Sequence, residues 1–167
     1  GRHEVADWFE AITRVSEGLK DYHGDEVAFI GSGRVTNEEL FLLKHLADTL
    51  ETDLLTLVPR FAQSDGKLIA ADRNPNTTGA KLIWASNDPY AKLKAIRKGV
   101  AGRRIKALVV FYEDLLAEAD FKASDLENLD LLVSNHILTN DTASVSHVVL
   151  PGAGFAEKRG SMVNITG

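Results

Sequence analysis

The residues with the most chemical content are Gly31-Ser32-Gly33-Arg34-Val35-Thr36, placed between an apolar run and a helical pattern. A strand-to-helix turn of this kind is where open α/β sheets set phosphates against backbone N–H groups. The dinucleotide fingerprint requires Gly or Ala at its third position, for close helix–strand packing, and Thr36 stands there. Glu38 and Glu39 fall in the first helical turn, where carboxylates complement the helix dipole and repel a phosphate. The expectation is a tight turn or a contact for a neutral ligand group, at the sheet edge where ligands bind.

Other constellations read more plainly. Lys92, Lys94, Arg97, Lys98, Arg103, Arg104 and Lys106 form a basic cluster that could meet an acidic partner or a cofactor phosphate, but a solvated face accounts for it. The acidic run Glu113, Asp114, Glu118, Asp120 and Asp125 is read the same way. Glu157-Lys158-Arg159-Gly160 could supply a carboxylate and an ammonium, and is expected to be a salt-linked turn at the exit from the last strand. None of the histidines 3, 23, 45, 136 and 147 shares the i,i+4 spacing of a helical metal site, and no Gly-x-Ser-x-Gly elbow occurs. His147 opens the last strand and is expected beside the ligand edge. No self-contained catalytic machinery is visible.

The elements that must position these residues alternate between helix and strand. Val5, Trp8, Phe9, Ile12, Val15 and Leu19 give a helix over about 4–20. Thr36 and Glu39 form a capping box that opens a helix carrying Leu40, Leu43, Leu46, Ala47 and Leu50. Apolar runs at 27–30, 54–58, 107–111, 129–133 and 147–150 read as strands, and helical patterns occupy 89–98 and, more briefly, 113–120. A polar loop is expected from about Arg60 to Gly79, long enough to be functional or mobile. The strand runs are continuously apolar, as strands buried on both faces are. The expected fold is therefore a doubly wound, mostly parallel five-stranded α/β sheet with helices on both faces.

The totals bound the function. With 167 residues, 44% apolar and 26% charged, the chain suits one globular domain with a real core. It has no Cys, so it holds no disulfide and no Cys-ligated zinc or iron–sulfur cluster. A net charge of −5 argues against nucleic-acid binding, and no apolar run is long enough for a membrane span. The abrupt start at Gly1-Arg-His-Glu and stop at Gly167 suggest one domain, 1–167, of a larger chain.

Four segments in order resemble the molybdopterin oxidoreductase family. They are Trp8-Phe-Glu-Ala-Ile12, Gly31-Ser-Gly-Arg-Val-Thr-Asn-Glu-Glu39, Asn140-Asp-Thr-Ala-Ser-Val-Ser-His-Val-Val-Leu-Pro151 and Phe155-Ala-Glu-Lys-Arg-Gly-Ser-Met-Val-Asn164. Within the family the likeness is greatest to the large iron–sulfur subunit of NADH-quinone oxidoreductase, the G subunit of bacterial complex I. The resemblance implies a Rossmann-like domain of the formate dehydrogenase/DMSO reductase type, without catalytic residues of its own. It implies a parent that carries iron–sulfur clusters elsewhere and packs against other domains and subunits of a respiratory complex. That places it on the cytoplasmic side, peripheral to the membrane and not inserted in it. The alternative it implies is the molybdopterin guanine dinucleotide-binding domain of an active molybdenum enzyme such as a formate dehydrogenase. The ligand edge would then comprise Gly31, Ser32, Gly33, Asn37, Glu38, Tyr112, Thr142 and His147. The family's Gly-x-Asn-Pro after the third strand is here Tyr112-Glu113-Asp114-Leu115. Together with His147 in place of Asp, Asn140 in place of Thr and Thr166 in place of Glu, this implies a relative that kept the fold and lost the pterin.

Overall fold

A computed structural model describes residues 3–85 and 88–167. Five strands, β1 (Val27–Gly31), β2 (Leu55–Leu57), β3 (Ala107–Phe111), β4 (Leu131–His136) and β5 (Val148–Pro151), form one parallel sheet in the order β2-β1-β3-β4-β5. All of β1 and β2, and most of β3 and β4, are buried. Successive residues of a strand face opposite sides of the sheet, so continuous burial requires a layer on each face.

Two hydrophobic cores supply those layers. On one face Val27, Phe29, Val109 and Val133 pack with helices α1 (Trp8–Leu19), α2 (Asn37–Thr49) and α3 (Thr77–Trp84) through Leu19, Leu40, Leu43 and Trp84. On the other, Ala28, Ile30, Leu108 and Leu132 pack with α4 (Pro89–Ala101), α5 (Leu115–Glu118) and α6 (Ala123–Leu126) through Ile96, Leu115 and Leu126. A last short helix, α7 (Asp141–Ser144), joins β4 to β5. The doubly wound α/β expectation holds, with every strand pair parallel.

The capping box forms as its spacing dictates: the Thr36 hydroxyl accepts from Glu39 N, and Glu39 Oε2 accepts from Thr36 N at 2.7 Å. The first helix starts at Trp8 rather than near residue 4, because the Asp7 side chain accepts from Glu10 N and sets the N-cap there. The long loop expected to reach Gly79 ends at Asn76, where α3 begins. Thr77-Thr78-Gly79 are poor helix formers, so the helix owes its place to packing rather than propensity. The acidic helix shrinks to the four residues of α5, and α6 and α7 are unforeseen, since four residues show no helical period. Among the described residues no helix is long and apolar enough to cross a membrane.

Candidate functional site

The strand order reverses between β1 and β3, so the crevice beyond their carboxyl ends is the topological switch point, where doubly wound folds bind ligands. Three segments meet there: the 31–36 turn after β1, the Tyr112-Glu113-Asp114 turn after β3, and the chain beyond β5.

The first turn is shaped by the protein's own packing. A Cβ on Gly31 would lie 2.8 Å from the Trp84 ring, and one on Gly33 only 2.5 Å from Asn74 Cβ. Both glycines are therefore needed for helix and loop to approach. Ser32 is fully buried and its Oγ accepts from Arg34 N at 3.1 Å. Asn76 N donates to Gly33 O at 2.8 Å, and the Asn76 amide donates to Val35 O and to Asn37 Oδ1.

The second turn carries the charge. Tyr112 sits at φ 57°, in the left-handed region where glycine is at ease and tyrosine is strained. Glu113, next in sequence, is fully buried. Its carboxylate takes a two-pronged contact from the Arg60 guanidinium, one arm at 2.9 Å, while Arg60 also reaches Asn74 and Glu118. Burial pushes the Glu113 carboxyl above its ordinary value, and the hydrogen bonds and charge of Arg60 and Ser32 only partly offset it. Burial also works against the Arg60 charge, but Glu113 and Glu118 outweigh it and raise the guanidinium further. The expected solvated acidic face is thus corrected at Glu113: a carboxylate at a strand's buried carboxyl end must find a counter-charge.

Asp114 is likewise structural. It accepts from Leu116 N and Ala117 N as the cap of α5, and from Asp141 N, Thr142 N and the Thr142 hydroxyl at the start of α7. Burial raises its pKa, but these donors outweigh burial and leave it below the usual carboxylate range. A carboxylate depressed on folding contributes stability that is present above its unfolded value and lost as pH falls through its folded value. Asp114→Ala should therefore cost about 1–2 kcal/mol at pH 7 by urea unfolding, the range of a lost cap. The gap to wild type should close as the pH drops below about 4. A gap that persists unchanged at pH 3 would mean the carboxylate is not the stabilising group.

The third segment folds back over the crevice. After β5 the chain turns at Gly154, whose N–H donates to Glu157 Oε2 at 2.6 Å. Lys158 Nζ then lies 2.9 and 2.8 Å from the Glu39 carboxylate oxygens and 4.3 Å from the centre of the Tyr112 ring. Ser161 bonds Glu38 with both its N–H and its hydroxyl, and Asn37 with its carbonyl. The expected salt-linked turn is corrected here: Lys158 pairs with Glu39, 119 residues away, and Glu157 is engaged by backbone. The segment returns across the sheet edge instead of simply leaving it.

Of the eight expected edge residues, Gly31, Ser32, Gly33, Asn37, Glu38 and Tyr112 gather at this crevice. Thr142 stands behind it, fully buried, its hydroxyl accepting from Leu115 N at 2.7 Å. His147 is misplaced by the sequence reading. It precedes β5 and so lies at the amino end of the sheet, where its Nδ1 accepts from Leu132 N at 2.9 Å. Burial and the charge of Arg14 lower its pKa, which favours the neutral ring that an acceptor nitrogen requires. Arg60, Asn74 and Asn76 are not among the residues expected at the site, and Glu113 is expected only as part of a solvated acidic run. The two asparagines of Asn74-Pro75-Asn76, in the polar second half of the loop that starts near Arg60, were the available signal. Of the basic cluster, Lys94, Lys98, Arg103 and Arg104 are exposed as expected, with Arg104 meeting Asp25 and Arg97 meeting Asp120. Among the described residues no three His, Asp or Glu side chains are placed to hold a metal ion.

Residues 61–167 match the family model for molybdopterin oxidoreductases. The chain belongs to the molybdopterin oxidoreductase family. Similar relatives are the alpha subunits of F420-dependent formate dehydrogenases 1 and 2 of Methanococcus maripaludis, each 39% identical over 67 residues. That stretch is 38% of this chain and 10% of each relative, so the chain spans about a tenth of the length of the curated relatives it matches.

Membership implies a pterin cofactor, and the crevice can be tested for fit. A phosphate-bearing ligand would meet Glu38, Glu39, Glu113 and Glu118, while the cations nearby, Arg34, Arg60 and Lys158, are each already paired with one of these acids. Both ends of the Asn37 amide are also engaged, by Asn76 and Ser161. As arranged, these residues do not fit such a group.

Proposed function

We propose that this chain is the α/β framework domain of a molybdopterin-family oxidoreductase of the formate dehydrogenase alpha-subunit type. The family match over residues 61–167 carries the reading, and the two formate dehydrogenase relatives support the type of parent. The domain's work is positional. Its sheet and its two buried cores set a rigid edge against the parts of the parent that carry redox groups. With no Cys in the sequence, thiolate ligands to any iron–sulfur cluster come from outside these residues.

A second reading has its own support. In the large iron–sulfur subunit of NADH-quinone oxidoreductase the same domain would be purely structural, packed among the other subunits of a cytoplasmic-side arm. The Tyr112-Glu113 turn favours it, because a buried acid and a bulky ring stand where a cofactor would approach the backbone.

Metal analysis and dye reduction on the purified parent separate the two. Stoichiometric molybdenum or tungsten with formate-dependent dye reduction is expected for the first. Iron and sulfide alone, with NADH-dependent reduction, would replace it by the second.

A further inference from the structure

We infer that residues 155–163 form an internal strap that holds the switch-point crevice shut, with Lys158 as its latch. The strap is built from this chain's own contacts, and its closure holds for either type of parent.

Three sets of contacts carry it. The latch is a cation set between an aromatic face and a carboxylate. Lys158 Nζ bonds both Glu39 oxygens and sits 4.3 Å from the centre of the Tyr112 ring. Its side chain is only 15% exposed, so water screens the pair weakly. The Tyr112 hydroxyl donates to Ala153 O at 2.9 Å, so the ring is held at the point where the strap leaves β5.

The second set occupies the amino end of α2. The Asn37 N–H is one of the free amides of a helix start and would be available to an anion. Here it donates to Ser161 O at 2.8 Å, and the Ser161 N–H and hydroxyl take the Glu38 carboxylate. The strap supplies the acceptor that a ligand oxygen would otherwise supply. The Glu38 carboxyl is held below its usual range, first by the Ser161 backbone bond.

The third set closes the far side. Val163 N donates to Asn76 Oδ1 at 2.8 Å, linking the strap to the loop that precedes α3. Gly160 passes against the Thr36 side chain so closely that a Cβ would overlap it. The strap therefore touches both the β1–α2 turn and the loop after β2.

Because Lys158 joins the strap to both Glu39 and Tyr112, its charge holds the closure. In the intact protein, hydrogen-exchange mass spectrometry should find peptides covering 155–163 protected. Lys158→Met keeps the aliphatic stem and removes the charge. It should speed exchange in 155–163 by about tenfold, the scale of a lost part-buried charge contact. Peptides covering β1 and β3 should stay as protected as in wild type, which excludes general unfolding. GDP at millimolar concentration should leave the exchange of residues 31–40 unchanged in wild type. Unchanged protection of 155–163 in Lys158→Met, free exchange there in wild type, or protection of 31–40 by GDP would each overturn the inference. Metal analysis of the parent tests the functional reading separately.

Discussion

Replacing Arg60 by Met should cost about 3–5 kcal/mol of unfolding free energy at pH 8, the range for stranding one partner of a buried ion pair. The size follows from asymmetry. The Arg60 side chain keeps 19% of its surface in solvent, whereas the Glu113 side chain has none. Removing the arginine leaves a fully buried carboxylate without its main counter-charge, with only the weaker help of Ser32 and the more distant Arg34. The reverse change, Glu113→Gln, retains hydrogen-bonding groups and leaves Arg60 with Glu118 and Asn74 as partners, so it should cost less. The double variant Arg60→Met/Glu113→Met should recover much of the loss. A pH series tests the cause. A carboxyl whose folded pKa is raised destabilises the fold above that pKa, and the cost fades as pH falls through it. Without Arg60 the Glu113 pKa rises further, so the gap between variant and wild type should be smaller at pH 5.5 than at pH 8. Equal gaps at the two pH values would show that lost packing, not the stranded charge, is responsible.

Trp84→Ala should lower stability by a similar amount, about 3–5 kcal/mol, as for a buried tryptophan truncated in a core. Trp84 is the last residue of α3 and is nearly buried. Its ring fills the space left by the missing side chain of Gly31, and its indole N–H donates to Leu40 O at 2.8 Å. One side chain thus joins α3, α2 and the end of β1. Trp84→Phe keeps much of the apolar area and loses the hydrogen bond, so its cost should be about 1–2 kcal/mol. Fluorescence gives an independent readout, because Trp8, the other tryptophan, is largely exposed. The blue-shifted emission should vanish in Trp84→Ala while the solvent-exposed component remains. A variant that unfolds at the wild-type urea midpoint would show that α3 is not held by this ring.

The elements most legible in the sequence are those with the longest patterns. β1, β3 and α2 carry four or five consecutive apolar residues, a capping box or a repeating apolar face, and they appear within a residue or two of their expected bounds. The helix α3 was hidden because Thr-Thr-Gly discourages a helix locally, and the contact that overrides it, Trp84 on Gly31, spans more than fifty residues. The site was legible in outline only. Gly31, Ser32 and Gly33 were placed by their position at the end of a strand, and Asn37 by the family resemblance. Glu113 was misread because adjacent Glu, Asp and, five residues on, Glu118 resemble a solvated run, and only the sheet shows that the first of them points inward. Lys158 and Glu39 could not be paired from sequence at all, since nothing local links residues so far apart.

The return of residues 155–163 across α2 has a consequence for the order in which the protein is made. Chains emerge at about 5–20 residues per second, and the parts made first can begin to fold. Tyr112 and Glu39 are in place once β3 has emerged, but Ser161 follows about fifty residues later, roughly 2–10 s at that rate. For that interval the amino end of α2 lacks the carbonyl that satisfies Asn37. The nascent sheet therefore passes through a stage in which its carboxyl edge is open to other molecules, and that window closes only when the segment beyond the last strand has been delivered.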